Sequence, residues 1–360
     1  MNLKVGIVGL ANVGKSTLFN ALLKKQQALV ANYPFATIEP NIGIVPVPDE
    51  RLKALAQTVE KEEGVKPPEV HATVEFVDIA GLVKGASEGQ GLGNKFLSHI
   101  REVDLICHVV REFPDPSVVH VAGDVDAGRD KEIIETELLL ADLETLNKQM
   151  EPRGVKEKEA IKRWQLIERL KNGLNEGKLA KDIVVDLEER ILVADLHLLT
   201  MKPVLYVANV SEEQIAKGLS LPQGQSLLNA LAICAKTEAE LAGLSEEDQK
   251  AYLKELGLEA SGLDRLIQKA YEMLGLISFL TAGVKEVRAW TIESGTKAPG
   301  AAGVIHTDFQ KKFIKADVVS FADFVATGGW KASREKGLVR SEGKEYVMKD
   351  GEVVEFKIGS

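Results

Sequence analysis

The stretch that most constrains the fold is glycine-rich Gly9–Thr17, which reads Gly-Leu-Ala-Asn-Val-Gly-Lys-Ser-Thr. It follows the apolar run Leu3–Val8 and precedes Leu18–Leu23, whose apolar spacing is typical of a helix. A strand, a glycine-rich turn and a helix in this order favour phosphate binding, because backbone N–H groups and the helix dipole converge on the anion. The predicted nucleotide-binding residues here are Asn12, Val13, Gly14, Lys15, Ser16 and Thr17.

Length and composition indicate a soluble protein of two or three domains. The chain has 360 residues, 45% of them hydrophobic and 28% charged, which exceeds the size of one ordinary core. No apolar run is long enough to cross a bilayer, and Cys107 and Cys234 are the only cysteines. We therefore expect a cytoplasmic protein without a disulfide framework and without membrane attachment.

The net charge of −9 argues against broad binding of nucleic acid by the whole molecule. The charge is unevenly distributed, because residues 278–360 carry 13 Lys and Arg against 11 Asp and Glu. This near-neutral C-terminal part could contact RNA where the acidic remainder could not.

A magnesium site is predicted beside the phosphates. The hydroxyl of Ser16 is expected to bind Mg²⁺, while Lys15 bridges the β- and γ-phosphates and stabilises charge during catalysis. Thr37 follows the first helix in a proline-punctuated loop and is either a further Mg²⁺ ligand or a threonine at a strand entry. Asp78 ends the next apolar run and is expected to hold Mg²⁺ through water, and Gly81 can sense the γ-phosphate.

The catalytic group is harder to predict. GTPases of the Ras type carry a water-orienting glutamine directly after the switch glycine, where this chain has Leu82. Glycine-rich residues 85–93 can form a switch loop. His108 lies within the predicted buried strand 104–111 and is interpreted as a core or edge residue and not as a catalyst. His120 lies beyond the carboxyl end of that strand, where ligands collect, so it is either catalytic or structural.

A second motif concerns the base. The segment Asn209-Val210-Ser211-Glu212 follows a predicted strand, at the position where GTPases carry Asn-Lys-x-Asp. The aspartate that accepts hydrogen bonds from guanine is replaced by the longer Glu212, which favours ATP over GTP. Further on, Cys234 and Ala235 belong to a turn that resembles the Ser-Ala-Lys turn contacting the base in such domains.

The middle of the chain is predicted to form an inserted, antiparallel helical hairpin, within residues 129–200. A heptad-like seam and a second helical repeat run through it, with a further long helix over Asp182–Leu199. The seam consists of Leu139, Leu143, Leu146 and Met150, and the second repeat of Trp164, Ile167, Leu170 and Leu174. The hairpin is either a solvated scaffold or a partner-binding arm.

The C-terminal part is predicted to be a small β-rich module. Residues 246–275 are charged and helical, and Leu276–Leu280 reads as a short apolar connection. Residues 285–292 and 352–358 then alternate between apolar and polar residues, as strands do.

These motifs together resemble the YchF family of Obg-like ATPases, within the TRAFAC class of P-loop proteins. The resemblance covers essentially the whole chain and is carried by Gly9–Thr17, Asn32–Asn41, Asp78–Leu82, Asn209–Glu212, Cys234–Lys236 and Thr281–Trp290. It implies an α/β fold: a Ras-like P-loop NTPase domain, an inserted antiparallel coiled coil and a C-terminal, β-grasp-like TGS domain. The implied parts are 1–128 and 201–277 for the nucleotide domain, 129–200 for the helical domain, and 278–360 for the TGS domain.

The same resemblance implies a monomer that hydrolyses ATP in preference to GTP with Mg²⁺. Family members replace the catalytic glutamine by a hydrophobic residue, as Leu82 does here, and use a histidine that matches His120. The family is also linked to the ribosome, so a ribosome or ribosomal RNA contact through the TGS and helical domains is expected.

Two other functions are compatible with these motifs. One is a translational GTPase whose hydrolysis is triggered by a partner. The other is a binding module in which Leu82 has made catalysis vestigial. Nucleotide competition separates the first from an ATPase, and measurable turnover that Lys15→Ala abolishes argues against the second.

Overall fold

The computed structural model describes residues 3–30, 41–79, 92–113, 125–152, 157–216 and 230–359. Contacts between residues divide the chain into two compact units. The first comprises Met1–Ile44 and Glu75–Leu266, and the second comprises Val45–Val74 and Ile267–Ser360. Within the described ranges, no helix has both the length and the apolar character needed to cross a membrane.

Strands and helices follow one another through the described parts of both units. The strands in the described ranges are β1 Lys4–Val8, β2 Ile42–Pro46, β3 Glu69–Val70, β4 Thr73–Asp78, β5 Leu105–Arg111, β6 Val204–Asn209, β7 Leu231–Ile233, β8 Leu276–Ala282, β9 Val287–Glu293, β10 Phe313–Ser320, β11 Arg340–Glu342 and β12 Glu352–Ile358. The α-helices in the same ranges are α1 Lys15–Val30, α2 Glu50–Glu63, α3 Leu92–Glu102, α4 Ala127–Asn147, α5 Lys158–Asn175, α6 Ala180–Ile183, α7 Leu187–Leu192, α8 Glu212–Ala216, α9 Ala235–Leu241, α10 Glu246–Glu255, α11 Gly262–Met273, α12 Ala298–Ile305, α13 Thr307–Lys311, α14 Phe321–Thr327 and α15 Trp330–Glu335.

The first unit is built on a six-stranded sheet in the order β2-β4-β1-β5-β6-β7. Strands β4, β1, β5, β6 and β7 pair in parallel, so their carboxyl ends share one edge. All seven residues of β5 are buried, because a parallel sheet has both faces covered and its strands are apolar throughout. This edge receives the glycine-rich loop after β1, Asp78 at the end of β4, and Asn209 at the end of β6.

The helical segment between β5 and β6 belongs to the first unit and has its own apolar core. Helices α4 and α5 supply about half of it, and the segments that follow supply the rest. Of the predicted helical repeats, Leu139, Leu146, Ile167, Leu170 and Leu174 are buried there, whereas Met150 is 90% exposed.

The predicted long helix over Asp182–Leu199 is wrong. The chain instead forms α6, α7 and two 3-10 turns at Ala194–Leu196 and Leu199–Met201. The carboxylate of Asp186 accepts a hydrogen bond from the N–H of Glu188 at 2.7 Å and so starts a new helix. His197 has a φ of 45°, a left-handed conformation that ends the helical path.

The second unit contains a mixed sheet in the order β11-β10-β12-β8-β9-β3. Strand β8 lies inside this sheet and pairs antiparallel with β9, so the interpretation of Leu276–Leu280 as a connection is wrong. Helix α12 covers one face, and its alanines share a core with Phe279, Phe313 and Val318.

Residues 45–74, which leave and rejoin the first sheet, contribute α2 and β3 to the second unit. Strand β3 pairs in parallel with β9. The Arg51 guanidinium binds Asp350 at 2.7 Å, and the Glu62 carboxylate accepts hydrogen bonds from the N–H groups of Trp330 and Lys331 at the start of α15. The division into nucleotide, helical and TGS domains stays a prediction, but these contacts tie an early segment to the C-terminal module.

Candidate functional site

The glycine-rich loop has a backbone that only glycine permits at two positions. Gly9 and Gly14 have φ values of 155° and 100°, which side chains rarely adopt. A Cβ at Gly9 would lie 2.4 Å from the carbonyl oxygen of Val109, and one at Gly14 would lie 2.2 Å from Nδ2 of Asn209. Real Cβ atoms essentially never come this close to other atoms, so a side chain at either position would clash. The glycine-rich loop therefore packs directly against β5 and β6.

Lys15 opens α1 and is only 7% exposed. Its Nζ donates a hydrogen bond to the carbonyl oxygen of Leu10 at 2.5 Å, across the loop. Burial lowers the pKa of Lys15, and the nearby Asp78 carboxylate opposes that shift. Burial likewise raises the pKa of Asp78, and Lys15 opposes it. A desolvated cation at the start of a helix is well suited to bind a phosphate, because Coulomb attraction is strong where water is excluded.

Asn209 connects the glycine-rich loop to the two segments predicted to contact the nucleotide base, Asn209–Glu212 and the turn at Cys234 and Ala235. Its Nδ2 donates to the carbonyl oxygen of Val13 at 2.9 Å, and its Oδ1 accepts from the N–H of Ala235 at 3.0 Å. The side chain is 6% exposed, so both hydrogen bonds are shielded from water. Three stretches far apart in the sequence are thereby fixed around one amide.

These segments surround a cavity of about 510 Å³. Its volume suits a nucleotide-sized ligand, since small-molecule pockets span roughly 300–1,000 Å³. Ten of the predicted residues line it: Asn12, Gly14, Lys15, Ser16, Thr17, Asn209, Val210, Glu212, Cys234 and Ala235. Val13 takes part through its backbone carbonyl, while Asp78 is outside the lining and acts on it through Lys15.

The two residues that depart from the GTPase motif occupy different environments. Val210 is 1% exposed and packs in an apolar cluster with Ala208, Ile215 and Cys234. Glu212 instead faces solvent at the cavity, where its carboxylate accepts a hydrogen bond from Thr237 at 3.4 Å. The cavity lining at this point therefore combines an apolar residue, Val210, with a carboxylate that the Thr237 hydroxyl contacts.

Sequence reasoning missed two lining residues at the end of β5, Arg111 and Phe113. Arg111 is 1% exposed, and its Nε donates to the carbonyl oxygen of Phe113 at 2.9 Å. Its guanidinium lies 4.8 Å from the centre of the Phe113 ring. The sequence did contain a signal for these two residues, because an arginine and an aromatic residue at the end of a buried strand lie at the ligand-binding edge of a parallel sheet.

Four predicted site residues lie outside the described residues: Thr37, Gly81, Leu82 and His120. Their roles stay predictions. His108, interpreted as a core residue, is 2% exposed and its ring lies 5.6 Å from that of Tyr206. Burial, followed by the charges of Lys131 and Lys15, lowers the pKa of His108 to about 3, so the imidazole is neutral at physiological pH.

The oxygen donors near Lys15 fit a magnesium ion, which prefers oxygen ligands. Ser16, a hydroxyl residue, lines the cavity, and the Asp78 carboxylate lies close enough to Lys15 to shift its pKa. Over the described ranges, no cluster of three His, Cys, Asp or Glu side chains could hold a metal ion. This donor set therefore suits an ion that takes some of its ligands from phosphates and water.

Comparison with known proteins extends the argument from the cavity to the whole chain. Residues 4–149 match a family model described as a 50S ribosome-binding GTPase, and residues 276–359 match the model YchF-GTPase_C, described as a protein of unknown function. The chain is 48% identical to the Ribosome-binding ATPase YchF of Bacillus subtilis, with 99% of each protein covered. It belongs to the YchF family.

Further relatives agree with membership of the YchF family. The Ribosome-binding ATPase YchF of Escherichia coli O157:H7 is 45% identical, again over 99% of both chains. The solved structure of the Schizosaccharomyces pombe YchF GTPase matches with a TM-score of 0.86 and 39% identity, covering 99% of this chain and 98% of that one. The predicted fold class and family are confirmed, and the chain is a P-loop nucleoside triphosphatase.

Proposed function

We propose that this protein hydrolyses the β–γ bond of ATP, in preference to GTP, with Mg²⁺ as cofactor. The proposal rests on the side-chain amide of Asn209. It connects the glycine-rich loop, through Val13, to the turn at Ala235 that is predicted to contact the base. One cavity can therefore receive both the phosphates and the base of a nucleotide. The YchF relatives named as ATPases support the choice of nucleotide.

The preference for adenine rests on the base end of the cavity. Guanine recognition needs a carboxylate that accepts two hydrogen bonds in a fixed position, and Glu212 is one methylene longer than that aspartate. The Glu212 carboxylate is also engaged by the hydroxyl of Thr237. Poorly paired guanine donors would cost about 1–3 kcal/mol each, whereas adenine does not need this pairing.

Phe113 supplies a flat apolar surface at the same end. The N–H of Glu112 donates to the carbonyl oxygen of Asn209 at 2.9 Å, which keeps the end of β5 beside the base segment. We therefore propose that the purine stacks on the ring of Phe113, since an aromatic face stabilises either purine by stacking. Stacking would raise the affinity for either purine, whereas Glu212 would determine the preference for adenine over guanine.

During hydrolysis, Lys15 and the loop N–H groups stabilise the charge on the transferred phosphoryl group. Ser16, Thr37 and Asp78 are the residues proposed to hold Mg²⁺, Asp78 through water. A bound Mg²⁺ would neutralise part of the phosphate charge. Because the Leu82 side chain can neither donate nor accept a hydrogen bond, we assign the orientation of the attacking water to His120, and Gly81 to sensing the γ-phosphate.

The proposed partner is the ribosome, on the strength of the relatives' names. In the second unit, the neighbouring lysines Lys311 and Lys312 are exposed, and among described residues neither forms an ion pair. Charge reversal of both lysines in the full chain should weaken cosedimentation with ribosomes and reduce its salt dependence. Unchanged cosedimentation would exclude this surface from the contact.

Competition of unlabelled ATP and GTP for a fluorescent nucleotide analogue tests the proposed base preference. We expect ATP to displace the analogue at lower concentration than GTP, by about tenfold or more. Tighter binding of GTP would favour the partner-triggered GTPase instead.

A turnover measurement tests the proposed role of His120. His120→Ala should keep the ATP affinity and lose about 10²-fold or more of the turnover, because general acid–base groups contribute about that much. His306→Ala, which changes an exposed histidine of the second unit, serves as the control. Equal turnover in the wild type and His120→Ala would remove the catalytic assignment.

A further inference from the structure

Three aliphatic side chains stand in solvent on the short helix α7 and the residue pair before it. Val185, Leu187 and Ile191 are 75%, 72% and 68% exposed. Among the large hydrophobic residues in the described ranges, only Met150 is more exposed. Leu187 and Ile191 are one helical turn apart and so share a face. We call these three residues the α7 ridge.

The α7 ridge is held in place at both ends. Val184 and Val193, which flank it, are 0% and 2% exposed in the apolar core of the helical segment. Asp186 caps the first turn of α7, and Glu189 forms an ion pair with Arg169 of α5. Because these contacts anchor the segment, the aliphatic side chains cannot turn inward without breaking them. The exposed apolar surface is therefore a fixed feature.

The surroundings of the α7 ridge are acidic. Residues 182–195 contain five acidic residues and one basic residue, a net charge of −4. Two of these acids are paired with arginines of α5, so the net charge of the segment together with these two arginines is −2. Asp182, Asp186 and Glu188 are exposed and form no ion pair with another described residue.

This combination of apolar and acidic groups selects one class of partner. An RNA backbone or an anionic membrane would be repelled by the carboxylates, and the α7 ridge offers no aromatic side chain on which a base could stack. A second copy of the chain would oppose like charges. A protein segment with aliphatic residues flanked by Lys or Arg matches both properties, since it buries the apolar side chains and pairs the acids.

We propose that the α7 ridge is a docking surface for a cationic, amphipathic segment of another protein. The inference goes beyond nucleotide hydrolysis and does not depend on it. It also assigns to the helical segment a protein contact in place of an RNA contact.

Fluorescence anisotropy of the full chain with two labelled peptides tests the proposal. One peptide is a helix of Leu and Lys with all leucines on one face, and the other has the same composition in scrambled order. The triple variant Val185→Ser, Leu187→Ser, Ile191→Ser should bind the amphipathic peptide about tenfold or more weakly than the wild type. The scrambled peptide should bind weakly to both proteins.

Two further variants separate apolar burial from charge. Asp182→Asn with Glu188→Gln should weaken binding a few-fold and reduce its dependence on salt. Leu140→Ser with Ile161→Ser, which changes two residues that are each 44% exposed elsewhere on the helical segment, should bind like the wild type. Circular dichroism and an unchanged ATP affinity would show that each variant is folded.

Three results would overturn the proposal. The first is equal binding of the amphipathic peptide to the wild type and the triple serine variant. The second is a single-stranded RNA probe whose binding the triple variant loses. The third is a wild-type dimer in sedimentation that the triple variant dissociates, which would make a second copy the occupant. None of these results bears on the nucleotide cavity, so the ATPase proposal would stand.

Discussion

The nucleotide cavity and the helical segment belong to the same unit but are stabilised in different ways. Around the cavity, single polar atoms join segments that are distant in sequence, as Asn209 does with its two hydrogen bonds. The helical segment is held mainly by an apolar core shared by α4, α5 and the segments that follow, to which the buried Asp142 carboxylate adds hydrogen bonds from the N–H groups of Leu199 and Thr200 at 2.7 and 2.8 Å. We infer that substitutions at the cavity remove function with little loss of stability, and that substitutions in the helical core do the reverse.

The largest effect is expected at the phosphate end of the cavity. Lys15→Ala should lower ATP turnover by about 10³-fold, because a charge stabiliser of the transferred phosphoryl group is lost. The thermal midpoint should change little, since the buried ammonium carries a desolvation cost in the folded state. Lys24→Ala, an exposed lysine of the same helix, is the matched control. A turnover loss of similar size in Lys24→Ala would contradict the assignment.

The helical core should show the opposite pattern. Leu170 is 0% exposed, and Leu170→Ala should reduce the free energy of unfolding by about 3 kcal/mol, from lost burial and the cavity left behind. Chemical denaturation measures the loss, and ATP affinity should stay within about twofold of the wild type. Leu140→Ala, at a 44% exposed position of α4, should cost far less. A large drop in ATP affinity in Leu170→Ala would break the comparison.

Asn209 tests whether two hydrogen bonds organise the cavity. Asn209→Ala leaves the carbonyl of Val13 and the N–H of Ala235 without their partner, which should cost about 2 kcal/mol, or about thirtyfold, in nucleotide affinity. Asn209→Asp keeps an acceptor for Ala235 but cannot donate to Val13, so it should bind at least as weakly. Calorimetry measures both affinities. Wild-type affinity in Asn209→Asp would show that the contact to Val13 is dispensable.

The smallest effect concerns pH. The pKa of His108 is lowered to about 3 in the folded chain, whereas an unfolded histidine titrates near about 6.5. The neutral form therefore contributes stability above pH about 6.5, and that contribution is lost as the pH falls towards the folded pKa. Between pH about 7.5 and about 5.5 the loss is about 1.4 kcal/mol. His108→Leu should lose that much less stability over this interval in urea denaturation, and parallel pH curves would contradict it.

The phosphate loop could be predicted from the sequence because its information is local. Gly9, Gly14 and Lys15 are close together between a strand and a helix, and the expected fold class follows from that order. The segment Asn209–Glu212 was predicted in the same way. Its meeting with Val13 and Ala235 required the parallel pairing of β5, β6 and β7, which the family resemblance supplied.

Other features could not be predicted, for physical reasons that differ. The Asp186 cap and the left-handed His197 divide the predicted helix over Asp182–Leu199. Caps are weaker signals in a sequence than apolar periodicity, so this division could not be predicted. The contribution of 45–74 to the second unit depends on contacts such as that of Arg51 with Asp350, which no local pattern encodes. The burial of Arg111 at the cavity depends on its position at the end of β5.

The most direct test of the central claim is calorimetric titration of the purified chain with a non-hydrolysable ATP analogue, in the presence and absence of Mg²⁺. We expect saturable binding of one ATP analogue per chain, with an affinity that increases with Mg²⁺ and exceeds the affinity for the matching GTP analogue. The absence of Mg²⁺-dependent heat with either nucleotide would contradict the claim that this cavity binds a triphosphate. A clear preference for the GTP analogue would retain the cavity and contradict the reasoning from Glu212.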